Sequence, residues 1–220
     1  MYAKEKVPRL ENGDRLTRSQ FEWRYHAMPR IRKAELIEGV VYMSSPLRYE
    51  SHSKPHALIM AWLSAYWVAT PGVDLGDNAT TRLDSDNEPQ PDALLRLEKG
   101  QSLISKDDYV EGAPELVAEV AASSAAYDLH DKLKVYRRNG VQEYIVWQIY
   151  ENKLTWFRLQ DGEYVPLLPD ESGLIRSQIF PGLHLSVTAL LAKDRVKVVA
   201  ELQKGLATPE YAAFVERLAS

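Results

Sequence analysis

Two acidic positions invite chemistry before any fold is considered. The dipeptide "PD" puts Asp92 directly after a proline, at the mouth of the apolar run "ALLRL". Further on, "PELVAEVA" carries Glu115 and Glu119 within what reads as a core strand. Side chains alternate along a strand, so Glu115, Val117, Glu119 and Ala121 share one face and Leu116, Ala118 and Val120 the other. A carboxylate is costly to bury unless it is paired or bound to metal. An acid at one strand's start and another in the middle of a neighbouring strand can converge on one hard divalent cation. Magnesium takes a few carboxylates, keeps several waters and leaves room for a phosphate. Such a cation activates water and stabilises charge on a phosphate, which is what phosphodiester hydrolysis requires. Glu119, among Val117, Val120 and alanines, is expected to be buried. Glu115, beside Pro114, is expected at a solvated strand edge, and Asp92 alone would more often be a turn residue.

The elements that must position these acids follow from periodicity. "LTRSQFEWRYHAM" has apolar residues at helical spacing behind Thr17, a suitable N-cap, which predicts a first helix at about 17–27. "AELIEGVVYMS" has the β-branched and aromatic content of a strand, with Glu38 just before a turn or bulge glycine, Gly39. A long helix is expected from about 54 to 69, with Pro55 in its first turn. "ATTRLD" and "PDALLRLE" read as strands around a polar turn. "AAYDLHDKLKVYRRNG" is amphipathic, with Leu129, Leu133 and Tyr136 inward and Gly140 at its end. "QEYIVWQI", "KLTWFRLQ" and "EYVPLL" form a run of strands, and from about 187 onward the chain is helical. The expected organisation is a flexible lead-in over 1–16, an α+β domain over 17–185 with a mixed sheet flanked by helices, and a helical C-terminal extension over 186–220.

Composition narrows the function classes. The 220 residues carry a formal net charge of -4, so a nucleic-acid partner would need a local positive patch on an acidic body. There is no cysteine, which removes disulfides, thiolate zinc sites and cysteine nucleophiles. The N-terminal residues lack an apolar signal-peptide core, and the longest apolar stretch is too interrupted to span a bilayer. A cytoplasmic protein without membrane contact is the expectation.

Candidate basic patches are "RYHAMPRIRK" (Arg24, Arg30, Arg32, Lys33) and "KLKVYRRNG" (Lys132, Lys134, Arg137, Arg138). Facing the acids, they would supply phosphate contacts; a solvated helix face is the plainer reading for any one of them. Asp128 and Lys132 have the spacing of an ordinary surface ion pair. His52 and His56, four apart in "SHSKPH", invite a zinc reading, but no third ligand is evident nearby. The tyrosines and tryptophans sit among apolar neighbours and read as core rather than as base-stacking surfaces.

The blocks "PD" at 91–92, "GAPELVAEVAASS", the D…K…Y of the following helix and "NGVQEYIVW", in that order and preceded by "LIEGVVYMSSP", resemble the Uma-type (Uma-two) restriction-endonuclease family of the PD-(D/E)XK nuclease superfamily. The resemblance covers about residues 17–185. It implies a restriction-endonuclease-like core, DNA as substrate, Mg²⁺ or Mn²⁺ as cofactor, and Asp92 and Glu119 as metal-binding acids. Glu38 matches the acidic residue of the family's early segment and is implied as a further metal ligand. The superfamily's lysine stands two residues after the second acid, where this chain has Ala121; the resemblance puts Lys132, on the next helix, in its place. It also implies a histidine, His52 or His56, at the mouth of the active site. Cutting both strands of a duplex argues for a homodimer. Two alternatives stay open: a nuclease fold that has lost catalysis and serves as a binding or accessory protein, and another metal-dependent phosphoesterase on the same acids.

Overall fold

The structure, a computed structural model, describes residues 7–31, 33–43, 46–122 and 125–220. Its first part comprises α1 (Arg18–His26), the hairpin β1 (Ala34–Ile37) and β2 (Val40–Met43), and α2 (Lys54–Ala69), which is entered through a widened π turn over Tyr49–Ser53. Strands β3 (Val73–Asp77), β4 (Thr81–Arg82), β5 (Ala93–Leu97), β6 (Leu103–Ile104), β7 (Val110–Glu111) and β8 (Leu116–Ala121) follow. A short turn, α3 (Ala125–Tyr127), a second π turn over Asp128–Lys132 and α4 (Leu133–Asn139) make one helical segment. It leads into β9 (Glu143–Gln148), β10 (Lys153–Gln160) and β11 (Glu163–Leu167). The chain closes with the hairpin β12 (Leu174–Arg176) and β13 (His184–Ser186), then α5 (Val187–Leu191), α6 (Arg195–Leu206) and α7 (Pro209–Ala219).

Local signals explain most boundaries. Thr17 and Gln20 form a capping box: the Gln20 backbone N–H donates to Thr17 Oγ1, and the Thr17 N–H to Gln20 Oε1. Pro55 stands in the first turn of α2, where its missing N–H costs nothing. Gly140, at φ 85°, takes the left-handed conformation that ends α4.

The six-stranded sheet has the order β11-β10-β9-β8-β5-β3. Only the β8–β9 pairing within it is parallel, joined by the α3–α4 crossover; its other pairings are antiparallel. The expected mixed sheet flanked by helices is therefore what the chain forms. The alternation predicted for β8 holds: Leu116, Ala118 and Val120 join the core under α2, whereas Val117 and Ala121 join the cluster under α4. Val198, Leu202, Tyr211 and Phe214 from α6 and α7 are buried in the same core as α2.

The N-terminal lead-in departs from expectation where it is described. Leu10 and Leu16 are buried against Phe21 and the β1–β2 hairpin, and the Gly13 and Leu16 N–H groups donate to Val41 and Gly39 carbonyls. Two apolar residues with a partner surface anchor a stretch that looked merely polar. Residues 1–6 of that lead-in, and Arg32, lie outside the described residues.

Candidate active site

The ladder between β5 and β8 runs from Leu95↔Leu116 to Ala93↔Ala118. Beyond it two carboxylates take over the bonding. The Val120 N–H donates to Asp92 Oδ2 at 2.8 Å, and the Asp92 N–H donates to Glu119 Oε2 at 3.3 Å. Each acid thus accepts a backbone donor beside the other, which fixes both at the strand ends. The Asp92 carbonyl is held as well, accepting from His56 Nε2 at 2.9 Å and from the Asn78 N–H at 3.3 Å.

Lys132 answers them from the second π turn. Its Nζ lies 2.8 Å from Glu119 Oε1, 2.9 Å from Glu35 Oε1 and 3.7 Å from Asp128 Oδ1. Tyr136, one turn further along, donates its hydroxyl to Glu119 Oε1 at 3.1 Å. The wider π turn carries both Asp128 and Lys132, a local distortion often found at functional sites. The Asp128–Lys132 pair is buried, not a surface pair, because both side chains face the cluster.

Electrostatically the cluster has more acid than base. Burial raises the pKa of the Glu119 carboxyl, Lys132 opposes this, and Asp92, Asp128 and Glu35 push it further up. Burial pulls the Lys132 ammonium down, but Glu119, Glu35 and Asp128 outweigh it and hold its pKa well above the ordinary value, so it stays charged. The acids border a cavity of about 670 Å³, lined among others by Lys33, Glu35, His52, Asp92, Glu119 and Lys132.

Asp92 and Glu119 fit a hard divalent cation. Among the described residues, the neighbours of Asp92 Oδ1 are Lys33 Nζ at 3.5 Å and His52 Nε2 at 3.7 Å. The surplus of buried carboxylate is the charge that such a cation would neutralise. Among the described residues no three His, Asp or Glu side chains converge as a ready-made cage.

Several expected residues stand elsewhere. Glu38 does not line the cavity: with Gly39 it makes the β1–β2 turn, both at positive φ, and its carboxylate pairs with Arg138 Nη1 at 2.8 Å. Glu35, on β1, lines the cavity instead. Its Oε1 also accepts the Gln90 N–H at 2.7 Å. Glu115 is buried, contrary to the expected solvated edge, because the Leu97 and Gln101 N–H groups both donate to it. Arg137 and Arg138 are drawn to Glu163, and to Glu38 and Asp84, and with the exposed Lys134 they lie outside the cavity lining. Arg24 pairs with Asp14 and Arg30 is exposed; of the first basic patch, Lys33 lines the cavity.

The two histidines stack, with ring centroids 5.8 Å apart. Only His52 lines the cavity. Its Nδ1 faces the Val120 carbonyl at 3.1 Å and must donate to it, since a carbonyl only accepts. His56 turns to the Asp92 backbone and Asp77.

The geometry can be set beside known proteins. A solved structure described as a putative nuclease belonging to DUF820, from Anabaena variabilis, superposes with a TM-score of 0.58 at 16% identity, covering 72% of this chain and 89% of that one. That likeness concerns the fold. No protein with a curated description matches the chain. The family model Uma2, described as "Putative restriction endonuclease", matches residues 22–188, a span that contains both acids, Glu35 and Lys132. The chain belongs to the Uma2 family.

Proposed function

We propose that the protein is a Mg²⁺- or Mn²⁺-dependent endonuclease that hydrolyses DNA phosphodiester bonds, in the cytoplasm. The observation that carries this reading is the 2.8 Å approach of Lys132 Nζ to Glu119 Oε1, beside Asp92. It puts an ammonium where Ala121 leaves none. Asp92 and Glu119 would hold the cation, which supplies an activated water and charge stabilisation at the phosphate. Glu35 and Asp128 keep Lys132 protonated, and Tyr136 fixes the Glu119 carboxylate. The ammonium can then orient the water and balance charge on the phosphate as the P–O bond to the leaving oxygen breaks. Val120 N–H and His52 hold the Asp92 side of the site in register. Cutting both strands of a duplex in one encounter would take two copies of the chain.

The test is cleavage of plasmid or single-stranded DNA by purified protein with Mg²⁺ or Mn²⁺, and its loss in Asp92→Ala and Glu119→Gln while circular dichroism stays unchanged. Cutting that survives both substitutions would overturn the reading. One observation favours a non-catalytic binding role instead: Lys132 is already engaged by three carboxylates. Calorimetric titration with Mn²⁺ separates the two, because a binding protein without a metal site gives no heat.

A further inference from the structure

The cavity walls differ from what a duplex-binding groove needs. Duplex binding leans on many phosphate contacts from a basic stripe, in step with one charge per roughly 1.7 Å of helix. Here the arginines of α4 are engaged by carboxylates outside the cavity, and Lys132 is buried among acids. Among the described residues, the other Lys and Arg side chains lining the cavity are Lys33 and Arg48. The walls also offer aromatic and apolar surface. Tyr42 from β2 and Tyr127 from α3 pack with ring centroids 4.3 Å apart. Tyr150, in the turn after β9, and Leu47 also line the cavity and are 59% and 61% exposed. The Ile149 N–H donates to the Ala121 carbonyl, so Tyr150 is tied to the end of the strand that carries Glu119. An exposed tyrosine at the mouth of an acidic, metal-competent cavity has no core role to explain it.

Resting on the nuclease reading, we propose that the cavity takes single-stranded nucleic acid, with an unpaired base stacked on Tyr150 and Leu47 and the adjoining phosphates on Lys33 and Arg48. Stacking is available only to a base outside a continuous helix, and it contributes roughly 1–3 kcal/mol per base. The two phosphate contacts that Lys33 and Arg48 offer suit a short strand.

The experiment is fluorescence anisotropy with labelled single-stranded and duplex DNA oligomers of about 12 nucleotides, with Ca²⁺ in place of Mg²⁺, run beside a cleavage assay on both with Mg²⁺. The single strand should bind about 10-fold tighter or more, with a log–log salt slope near roughly −1.4 for two phosphates. Tyr150→Ala should weaken single-strand binding about 5- to 100-fold and leave duplex binding unchanged, while Tyr150→Phe keeps wild-type affinity. Tyr150 is exposed in a turn, so neither variant threatens the fold. Equal or tighter duplex binding, a steep salt slope, or cutting of duplex that Tyr150→Ala leaves untouched overturns this inference and spares the nuclease reading. Neither binding nor cutting of either oligomer overturns both.

Discussion

Glu119 lies in β8 and Glu115 immediately precedes that strand, and both are almost wholly buried, at 3% and 1% exposure. Their partners separate them. Glu115 accepts from two neutral backbone donors, Leu97 N–H at 2.8 Å and Gln101 N–H at 3.1 Å, and so closes the turn after β5. Glu119 accepts from an ammonium and a phenol, lies next to Asp92 and opens onto the cavity. Burial alone therefore does not mark a reactive acid. Charged partners and access to a cavity do.

The sharpest way to break this contrast is to neutralise each acid in turn. Glu119→Gln should lower cleavage by ~100-fold or more, the scale expected when a metal shell is disturbed. Glu115→Gln should leave the rate within a few-fold of wild type. Comparable losses in both variants, measured by DNA cleavage at equal folded fraction, would erase the distinction.

Lys132→Met tests the charge balance on the Glu119 side. Removing the ammonium that Glu119, Glu35 and Asp128 share disturbs a buried charge cluster, a loss of about 3–5 kcal/mol. Urea denaturation should report it, and millimolar Mg²⁺ should restore part of it, because a cation that binds only the folded state stabilises by mass action. The same Mg²⁺ addition should not rescue a Glu115 variant. Glu115→Ala strands two backbone donors and should cost about 1–3 kcal/mol for each. Gly100→Ala should be destabilising for a related reason, since a Cβ there would collide with Glu115 Oε1. Stability at the same pH and salt checks both.

How much of this was legible in the sequence depends on the reach of each signal. The capping box at Thr17, the first-turn Pro55 and the alternation of β8 are local, and the fold follows them. That Lys132 meets Glu119 came from the order of family blocks, since by spacing alone it looked like an i,i+4 surface pair with Asp128. The exchange of Glu38 for Glu35 turned on one turn. Read as a single strand, "AELIEGVVYMS" leaves either acid free to face the site. Two adjacent residues at positive φ, Glu38 and Gly39, make it a tight hairpin instead. Counting back from that turn separates Glu35 from the buried pair Ala34 and Leu36, which was the available clue. The backbone donors that satisfy Glu115 come from 14 and 18 residues away, and no local pattern announces them.

A third buried carboxylate gives the smallest and cleanest test of the contrast. Glu143, which pairs in register with Leu116, resembles Glu115 in having neutral donors only: Trp156 Nε1 at 3.1 Å, Ser177 Oγ at 2.8 Å and Gln178 N–H at 2.7 Å. Burial raises its pKa to about 6, and those hydrogen bonds only partly offset the rise. A folded-state pKa above the unfolded one means that the folded protein holds this proton more tightly. The stabilisation is complete below the ordinary value of 4.5 and is lost as pH rises through about 6. The stability of wild type relative to Glu143→Gln should therefore fall by about 2 kcal/mol between pH 4 and pH 7. Cleavage should not follow that titration, because Glu143 does not line the cavity. Denaturation curves of the two proteins across this range isolate the carboxyl, and a flat difference would show that neutral donors hold Glu143 without strain.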